Sequence, residues 1–287
     1  MSYASPTTVQ EAVALLVGSS GVAKVLSGGT DLLVQLRSGR TKPELIVDTK
    51  KIPGIVGVRQ DAGGFVIGAA TPGADIEACE PLKRAWPGVV EAMDLIGSTQ
   101  IQGRASLAGN LCNASPAADS VPAMIAAAAL AVVVGPNGRR EVPVEQVVVA
   151  PGRTSLARDE FILEFRLPPR PPHSGDAYLR FIPRTEMDIA VVGCGVSVTL
   201  DADGTCTAAR VSLGAVAPTP LLVPGAADTL VGRTIDAATL AELDAGAQAV
   251  CKPINDKRGT IDYRTKVAGV LARRAAAIAF ERARSAR

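Results

Sequence analysis

Ala23-Lys24-Val25-Leu26-Ser27-Gly28-Gly29-Thr30-Asp31-Leu32-Leu33-Val34-Gln35-Leu36 decides how the N-terminal half of this chain is read. Ala23 to Leu26 has the pattern of a short strand, and Leu32 to Leu36 that of a short helix. Between them, two consecutive glycines let the backbone turn sharply and bring its N–H groups against a ligand without interference from a Cβ. The new helix presents its positive end at the same place, so the turn suits a pyrophosphate. A Gly-Gly turn before a helix is also commonly structural, and this stretch alone leaves both readings open.

Working outward, Thr7 or Thr8 caps a first helix whose apolar stripe is Val9, Ala12, Val13 and Leu16. Leu45 to Val47 reads as a strand. Ile55 to Arg59 and Phe65 to Ala69 flank Asp61-Ala62-Gly63-Gly64 as a hairpin. Helical patterns cover Asp75 to Arg84 and Gly88 to Ile96, and a small-residue loop then runs from Gly97 to Asp119. Ser120 to Leu130 resumes as a helix. Ala131 to Val134 and Glu141 to Val144 form a hairpin around Gly135-Pro136-Asn137-Gly138. Phe161 to Leu167 alternates as a half-buried strand should.

Pro168-Pro169-Arg170-Pro171-Pro172 continues neither strand nor helix, so a domain boundary is expected there, between residues 1–170 and 174–287. Beyond it, Tyr178 to Ile182, Val191 to Leu200 and Cys206 to Leu213 read as a three-stranded sheet. Asp201-Ala202-Asp203-Gly204 turns between the last two strands. Alanine-rich helices at Ala237 to Val250 and Ile261 to Ala283 back this sheet.

A second small-residue loop, Ser106-Leu107-Ala108-Gly109-Asn110-Leu111, precedes Asn113-Ala114-Ser115-Pro116-Ala117-Ala118-Asp119 and another helix. Asp119 either caps that helix or accepts hydrogen bonds from ligand hydroxyls. Two such loops suggest a long, bent ligand with a diphosphate in its middle, a shape that FAD has. Other nucleotide motifs are missing. Gly193-Cys194-Gly195 continues as a strand rather than completing G-x-G-x-x-G, and neither a P-loop nor G-x-S-x-G occurs.

Composition narrows the function classes. The chain has 287 residues, 47% of them apolar and 20% charged, with a formal net charge of +2. No polyanionic partner is demanded, and the basic runs Lys252 to Arg264 and Arg273 to Arg287 read as solvated helix faces rather than a nucleic-acid footprint. The N-terminus lacks a signal-peptide pattern, and the longest apolar run, Met124 to Val134, falls far short of the ~20 residues of a membrane span. A cytoplasmic location is therefore expected. The five cysteines are scattered without a C-x-x-C pair, and His173 is the one histidine. A metal site in this chain and histidine-based nucleophilic chemistry are both unexpected. A bound cofactor is the natural carrier of any chemistry.

Lys24 to Leu32 resembles the first FAD loop of the medium subunits of molybdenum hydroxylases, the carbon monoxide dehydrogenase and xanthine dehydrogenase family. Ile96-Gly97-Ser98-Thr99-Gln100-Ile101, Ser106 to Asn110 and Asp119 resemble the second. Asp159 to Pro168 and Ala215-Val216-Ala217-Pro218-Thr219-Pro220 resemble further family segments, and the similarity runs in order from about Ser5 to Phe280. The resemblance implies an α+β fold: a two-lobed FAD domain of the vanillyl-alcohol-oxidase type, then a small α+β flavoprotein C-terminal domain. It implies that Lys24, Val25, Leu26, Ser27, Gly28, Gly29, Thr30, Asp31 and Leu32 wrap the diphosphate. Ser106, Ala108, Gly109 and Asn110 would contact diphosphate and flavin, Ile96 would lie over the isoalloxazine, and Ile162 would pack beside it. Asp119 would bind ribityl or ribose hydroxyls, and Arg180, which stands where the family commonly has lysine, would belong to the same cofactor site. Where relatives read R-N-x-G-T-I-G-G-N, this chain has Ala105 and Ala108 for glycines and Ser106 for threonine.

The same resemblance implies a large molybdenum–pterin subunit and a small subunit with two 2Fe–2S clusters, assembled as a dimer of heterotrimers. This chain would pass their electrons from FAD to an external acceptor. A stand-alone FAD oxidoreductase of the same fold and a flavin-free scaffold are the alternatives. A branched side chain at Gly29 is expected to intrude on the phosphate space.

Overall fold

The first lobe forms around strands too short to stand alone. In the computed structural model, which describes residues 1–61 and 64–286, it comprises β1 (Ser2–Ala4), α1 (Val9–Gly18), β2 (Ala23–Leu26), α2 (Leu32–Arg37) and β3 (Leu45–Asp48). Thr8, rather than Thr7, caps α1 by accepting the Glu11 N–H. Ala12 and Leu16 are buried, with Val9 and Val13 packed on the same core. The strands lie parallel in the order β1-β3-β2. β1 escaped the sequence reading because Ser2 and Tyr3 are exposed, leaving no periodic signal. No residue of α2 is buried, despite its apolar sequence.

The second lobe comprises β4 (Val58–Asp61), β5 (Gly64–Gly68), α3 (Gly73–Glu77), α4 (Glu80–Ala85), α5 (Pro87–Asp94), α6 (Thr99–Gln102), α7 (Leu107–Cys112), α8 (Ser120–Ala126), β6 (Leu130–Gly135), β7 (Gly138–Pro143), β8 (Val148–Ala150), β9 (Arg153–Thr154) and β10 (Phe161–Leu167). Its main sheet has the antiparallel order β4-β5-β10-β6-β7. β10 is the middle strand and is buried at every position except Arg166, so it is not half-buried as expected. Its polar character misled, because buried Glu164 is neutralised by Arg59 at 2.5 Å and by Arg166.

Other boundaries also moved. The helical pattern at 75–84 splits into α3 and α4 around Cys79, with Pro81 in the first turn of α4. The expected loop at 97–119 contains α6 and α7, too short to show a helical period. The helix predicted to reach Leu130 stops at Ala126, since Ala128 is left-handed at φ 53°. Ile55 to Gly57 lies outside β4. β4 pairs with β5 up to Asp61 opposite Gly64, while Ala62 and Gly63 of the predicted turn lie outside the described residues.

The C-terminal part comprises β11 (Ser174–Phe181), β12 (Val192–Leu200), β13 (Cys206–Gly214), β14 (Leu221–Leu222), α9 (Pro224–Asp228), α10 (Ala237–Ala249) and α11 (Ile261–Ser285). The antiparallel sheet has four strands rather than three; β14 has only two residues and α9 only five, below the reach of pattern. α11 lies on the sheet through alanines: Ala268, Ala272, Ala275, Ala276, Ala279 and Ala283 are fully buried. Arg264, placed by the sequence on a solvated face, is also buried, where it donates to the Val191 carbonyl and pairs with Asp256.

Apolar burial forms two main clusters, drawn from residues 12–167 and 177–283, with Ala92, Ala123 and Tyr178 as a small third between them. The fit of α11 to β11 is close enough to test. A Cβ at Gly175 would stand 1.9 Å from the Ala279 carbonyl oxygen and 2.5 Å from the Ala283 nitrogen. Gly175→Val should therefore cost about 3 kcal/mol or more of stability, at or beyond the usual range for overpacking. Urea denaturation checks it, with a loss under about 0.5 kcal/mol, the scale of a neutral surface change, contradicting the close packing.

Candidate functional site

A cleft of about 310 Å³ opens between the two lobes. The β2–α2 turn, Ser27 to Leu32, forms one wall. The start of α7 with Ala105 and Ser106 forms another, and Leu156 to Ile162 supply a third. The first two walls touch. A Cβ at Gly28 would fall 1.8 Å from the Arg104 carbonyl oxygen, so glycine is what allows the approach. Arg104 Nε donates back to the Gly28 carbonyl at 3.3 Å, and the Ser27 and Ser106 hydroxyls share a 2.7 Å hydrogen bond. Gln35 Nε2 extends the contact by donating to Asn113 Oδ1 at 3.0 Å.

Gly29 differs from expectation. It is left-handed at φ +84°, and a Cβ there would meet Leu26 and Leu33 side chains at 3.0 and 3.4 Å, not the phosphate space. Valine at Gly29 would act through backbone strain. The turn leaves the N–H groups of Gly28, Gly29, Thr30 and Asp31 without an acceptor among the described residues. Four successive unclaimed donors on a cleft wall form a concavity suited to an anion. Lys50 braces the turn, its Nζ donating to the Ser27 carbonyl at 3.1 Å and pairing with Asp48 at 2.7 Å.

Most of the site residues expected from the sequence line this one cleft: Lys24, Val25, Ser27, Gly28, Gly29, Thr30, Asp31, Leu32, Ile96, Ser106, Ala108, Gly109, Asn110 and Ile162. Leu26, Asp119 and Arg180 are not among the lining residues. Ser106 also caps α7 by accepting the Gly109 N–H at 3.2 Å. Asn110 Oδ1 accepts from the Ser120 N–H at 3.1 Å and the Ser120 hydroxyl at 2.8 Å, which satisfies the start of α8.

Asp119 is therefore not the cap that its position suggested; its backbone is already helical and its side chain makes no cap bond. Its carboxylate instead takes a 3.0 Å ion pair from Arg180 Nη1 and a 3.3 Å hydrogen bond from the Tyr178 hydroxyl. Burial pushes the carboxyl up to about 6, against the opposing pull of Arg180 and Tyr178.

Gln35, Thr49, Asn113, Leu156, Arg158 and Phe161 also line the cleft and were missed. Gln35 carried a signal, since Leu32 and Gln35 are three apart and share a helix face, and Phe161 lies beside Ile162 in the family segment 159–168. The others arrive through chain crossings that no local pattern records.

Residues 1–170 match the family model described as the FAD binding domain in molybdopterin dehydrogenase, and residues 177–279 match the CO dehydrogenase flavoprotein C-terminal domain. The chain belongs to the FAD-binding medium-subunit family of the molybdenum hydroxylases. It is 34% identical to the carbon monoxide dehydrogenase medium chain of Hydrogenophaga pseudoflava over 280 residues, 98% of this chain and 97% of the relative. It is 30% identical to the xanthine dehydrogenase FAD-binding subunit of Escherichia coli O157:H7, covering 92% of this chain and 90% of that one. A solved carbon monoxide dehydrogenase from Hydrogenophaga pseudoflava, lacking the Mo-pyranopterin moiety of its cofactor, superimposes with a TM-score of 0.94 at 33% identity, covering 98% of each chain.

Within this medium-subunit fold the Asp119–Arg180 pair joins α8 to β11, and the Arg180 side chain is only 4% exposed. Removing the carboxylate would leave a buried guanidinium unpaired. Asp119→Ala should cost about 3–5 kcal/mol, well above the ~1 kcal/mol of a helix cap. Urea denaturation of the variant decides between them: a cost near 1 kcal/mol would return Asp119 to a capping role.

Proposed function

We propose that this chain is the FAD-containing electron-transfer subunit of a heterotrimeric molybdenum hydroxylase. The observation that carries the reading is the row of unclaimed N–H groups from Gly28 to Asp31, set against the small-residue wall at Ser106 to Asn110. The residues present suit FAD. The donor row meets the needs of a diphosphate, with Lys24 on the same lining and Leu26 packed beneath Gly29. Ala105 and Ala108 line the cleft with small side chains. Ile96, Leu156, Phe161 and Ile162 provide apolar surface for a flat ring.

Bound FAD supplies a two-electron store, through which the chain takes electrons from a small 2Fe–2S subunit and passes them to an external acceptor. The chain's own contribution is to bind, orient and shield. Its single histidine and scattered cysteines offer no apparatus for activating a C–H bond. That chemistry belongs to a large molybdenum–pterin subunit, and the whole assembles as a dimer of heterotrimers. Support comes from relatives named as a medium chain of carbon monoxide dehydrogenase and, in Eubacterium barkeri, as a nicotinate dehydrogenase FAD-subunit. The Pro-rich stretch at 168–172 separates the FAD domain, 1–170, from the C-terminal domain, 174–287. A cytoplasmic setting accords with five free cysteines, and among the described residues no helix is long and apolar enough to cross a membrane.

Gly28→Ala tests the cleft, because the added methyl must separate the two walls. The complex carrying this variant should assemble and lose most of its FAD, read from its visible spectrum. An assembled variant with wild-type flavin content would remove the cofactor from this cleft.

The relay assignment has its own test. The chain expressed alone and supplied with FAD should show no more than weak dye reduction with aromatic N-heterocycles, aldehydes or carbon monoxide. Hydroxylation should appear once large and small subunits are added. Robust turnover by the metal-free lone chain would instead favour a stand-alone oxidoreductase.

A further inference from the structure

Where the N–H groups of the β2–α2 turn point depends on how their peptide planes are held. A peptide unit is planar, with its carbonyl oxygen and its N–H on opposite edges. The Gly28 N–H therefore points away from the Ser27 oxygen, and the Gly29 N–H away from the Gly28 oxygen. At two successive glycines those planes can swing through a wide range of φ and ψ unless something outside the turn stops them.

Each of the two oxygens is taken by a cation. Lys50 Nζ donates to the Ser27 carbonyl at 3.1 Å, and Arg104 Nε donates to the Gly28 carbonyl at 3.3 Å. The next plane is held as well, since the Leu33 N–H donates to the Gly29 carbonyl at 3.0 Å. One cation comes from the turn after β3 and the other from the segment before α7. Neither Lys50 nor Arg104 lines the cleft.

Lys50 is itself held. Asp48 ends β3 opposite Leu26, the last residue of β2. Its carboxylate caps the single 3-10 turn Thr49–Lys51 by accepting the Lys50 N–H at 3.1 Å, and the same oxygen takes the Lys50 ammonium at 2.7 Å. The other oxygen accepts the Tyr3 hydroxyl at 2.7 Å. Burial pushes the Asp48 carboxyl up, but the hydrogen bonds from Lys50 and Tyr3 outweigh it and hold the group below the usual carboxylate range. A chain of bonds therefore runs from the exposed Tyr3 of β1 through Asp48 and Lys50 to the Ser27 oxygen.

We infer that Lys50 and Arg104 are positioning residues: by holding the Ser27 and Gly28 carbonyl oxygens they aim the Gly28 and Gly29 N–H groups at the diphosphate, without touching it themselves. The inference rests on the cleft holding FAD. Planes fixed in advance lose less conformational freedom when the ligand arrives. A cation on the oxygen also polarises the peptide, which makes the N–H on its far edge a stronger donor. Both charges spend their hydrogen bonds on the turn, so they favour an anion beside it while leaving those donors free.

The test uses the full chain assembled with its partner subunits and stripped of flavin. A wild-type complex that carries no flavin and binds none when FAD is added would overturn the FAD reading itself. With FAD bound by the wild type, Lys50→Met should weaken FAD and ADP alike by roughly tenfold, the scale of one charge-assisted hydrogen bond. ADP is the probe because it carries the diphosphate without the flavin. Asp48 keeps the Tyr3 hydroxyl and the backbone N–H of residue 50 in this variant, so assembly should survive. Lys50→Arg, which keeps a cationic donor, should return both affinities towards wild type. Lys51→Met removes the same charge from the exposed neighbouring position and should leave both unchanged. Arg104→Met should weaken both ligands too, and it stands in for Lys50→Met if that variant does not assemble. Wild-type affinity for FAD and ADP in the assembled Lys50 and Arg104 variants would overturn the inference. So would an equal loss in Lys51→Met, which would reduce the effect to net charge.

Discussion

The meeting of two backbones at Gly28 and Arg104 is the contact on which the rest of the site depends. The carbonyl oxygen of Arg104 occupies the space that a Cβ at Gly28 would need. This brings the β2–α2 turn of the first lobe against the start of α7 in the second. The Ser27–Ser106 hydrogen bond and the Arg104–Gly28 bond then lock the register of the two walls. Separated lobes would leave two short glycine turns facing water. Held together, they make one cleft with donors on one side and apolar surface on another.

The donor row lines an open cleft, where a ligand could accept bonds that no acceptor among the described residues claims. Side chains serve the starts of other helices: Asn110 serves α8, Ser106 serves α7 and Thr8 serves α1.

The C-terminal domain follows a different logic. Alanines along α11 and the missing side chain at Gly175 let that helix approach the sheet to backbone distance. Its junction with the FAD domain is polar, through the buried Asp176 and Arg180 side chains with Arg170 and the part-exposed Glu91. Buried ion pairs contribute little net stability, since desolvation offsets attraction, but they are strict about geometry.

Local pattern was enough for the glycine turn at 27–31, the α1 stripe, the hairpin at 130–143 and the long helix at 261–285, because each depends on neighbours within a few residues. The family motifs also named half of the cleft lining. Tertiary structure alone decided the rest. Asp119 looked like a helix cap from its position, yet it pairs with Arg180, 61 residues away. Phe161 to Leu167 looked half-buried, yet it became a central strand once neighbours covered both its edges. Gly28 and Gly29 look equivalent in sequence; one admits a distant carbonyl and the other supplies a left-handed turn. The physical reason is common to all three. A residue's conformational freedom is written in its own chemistry, whereas what occupies the space beside it depends on parts of the chain that sequence does not place together.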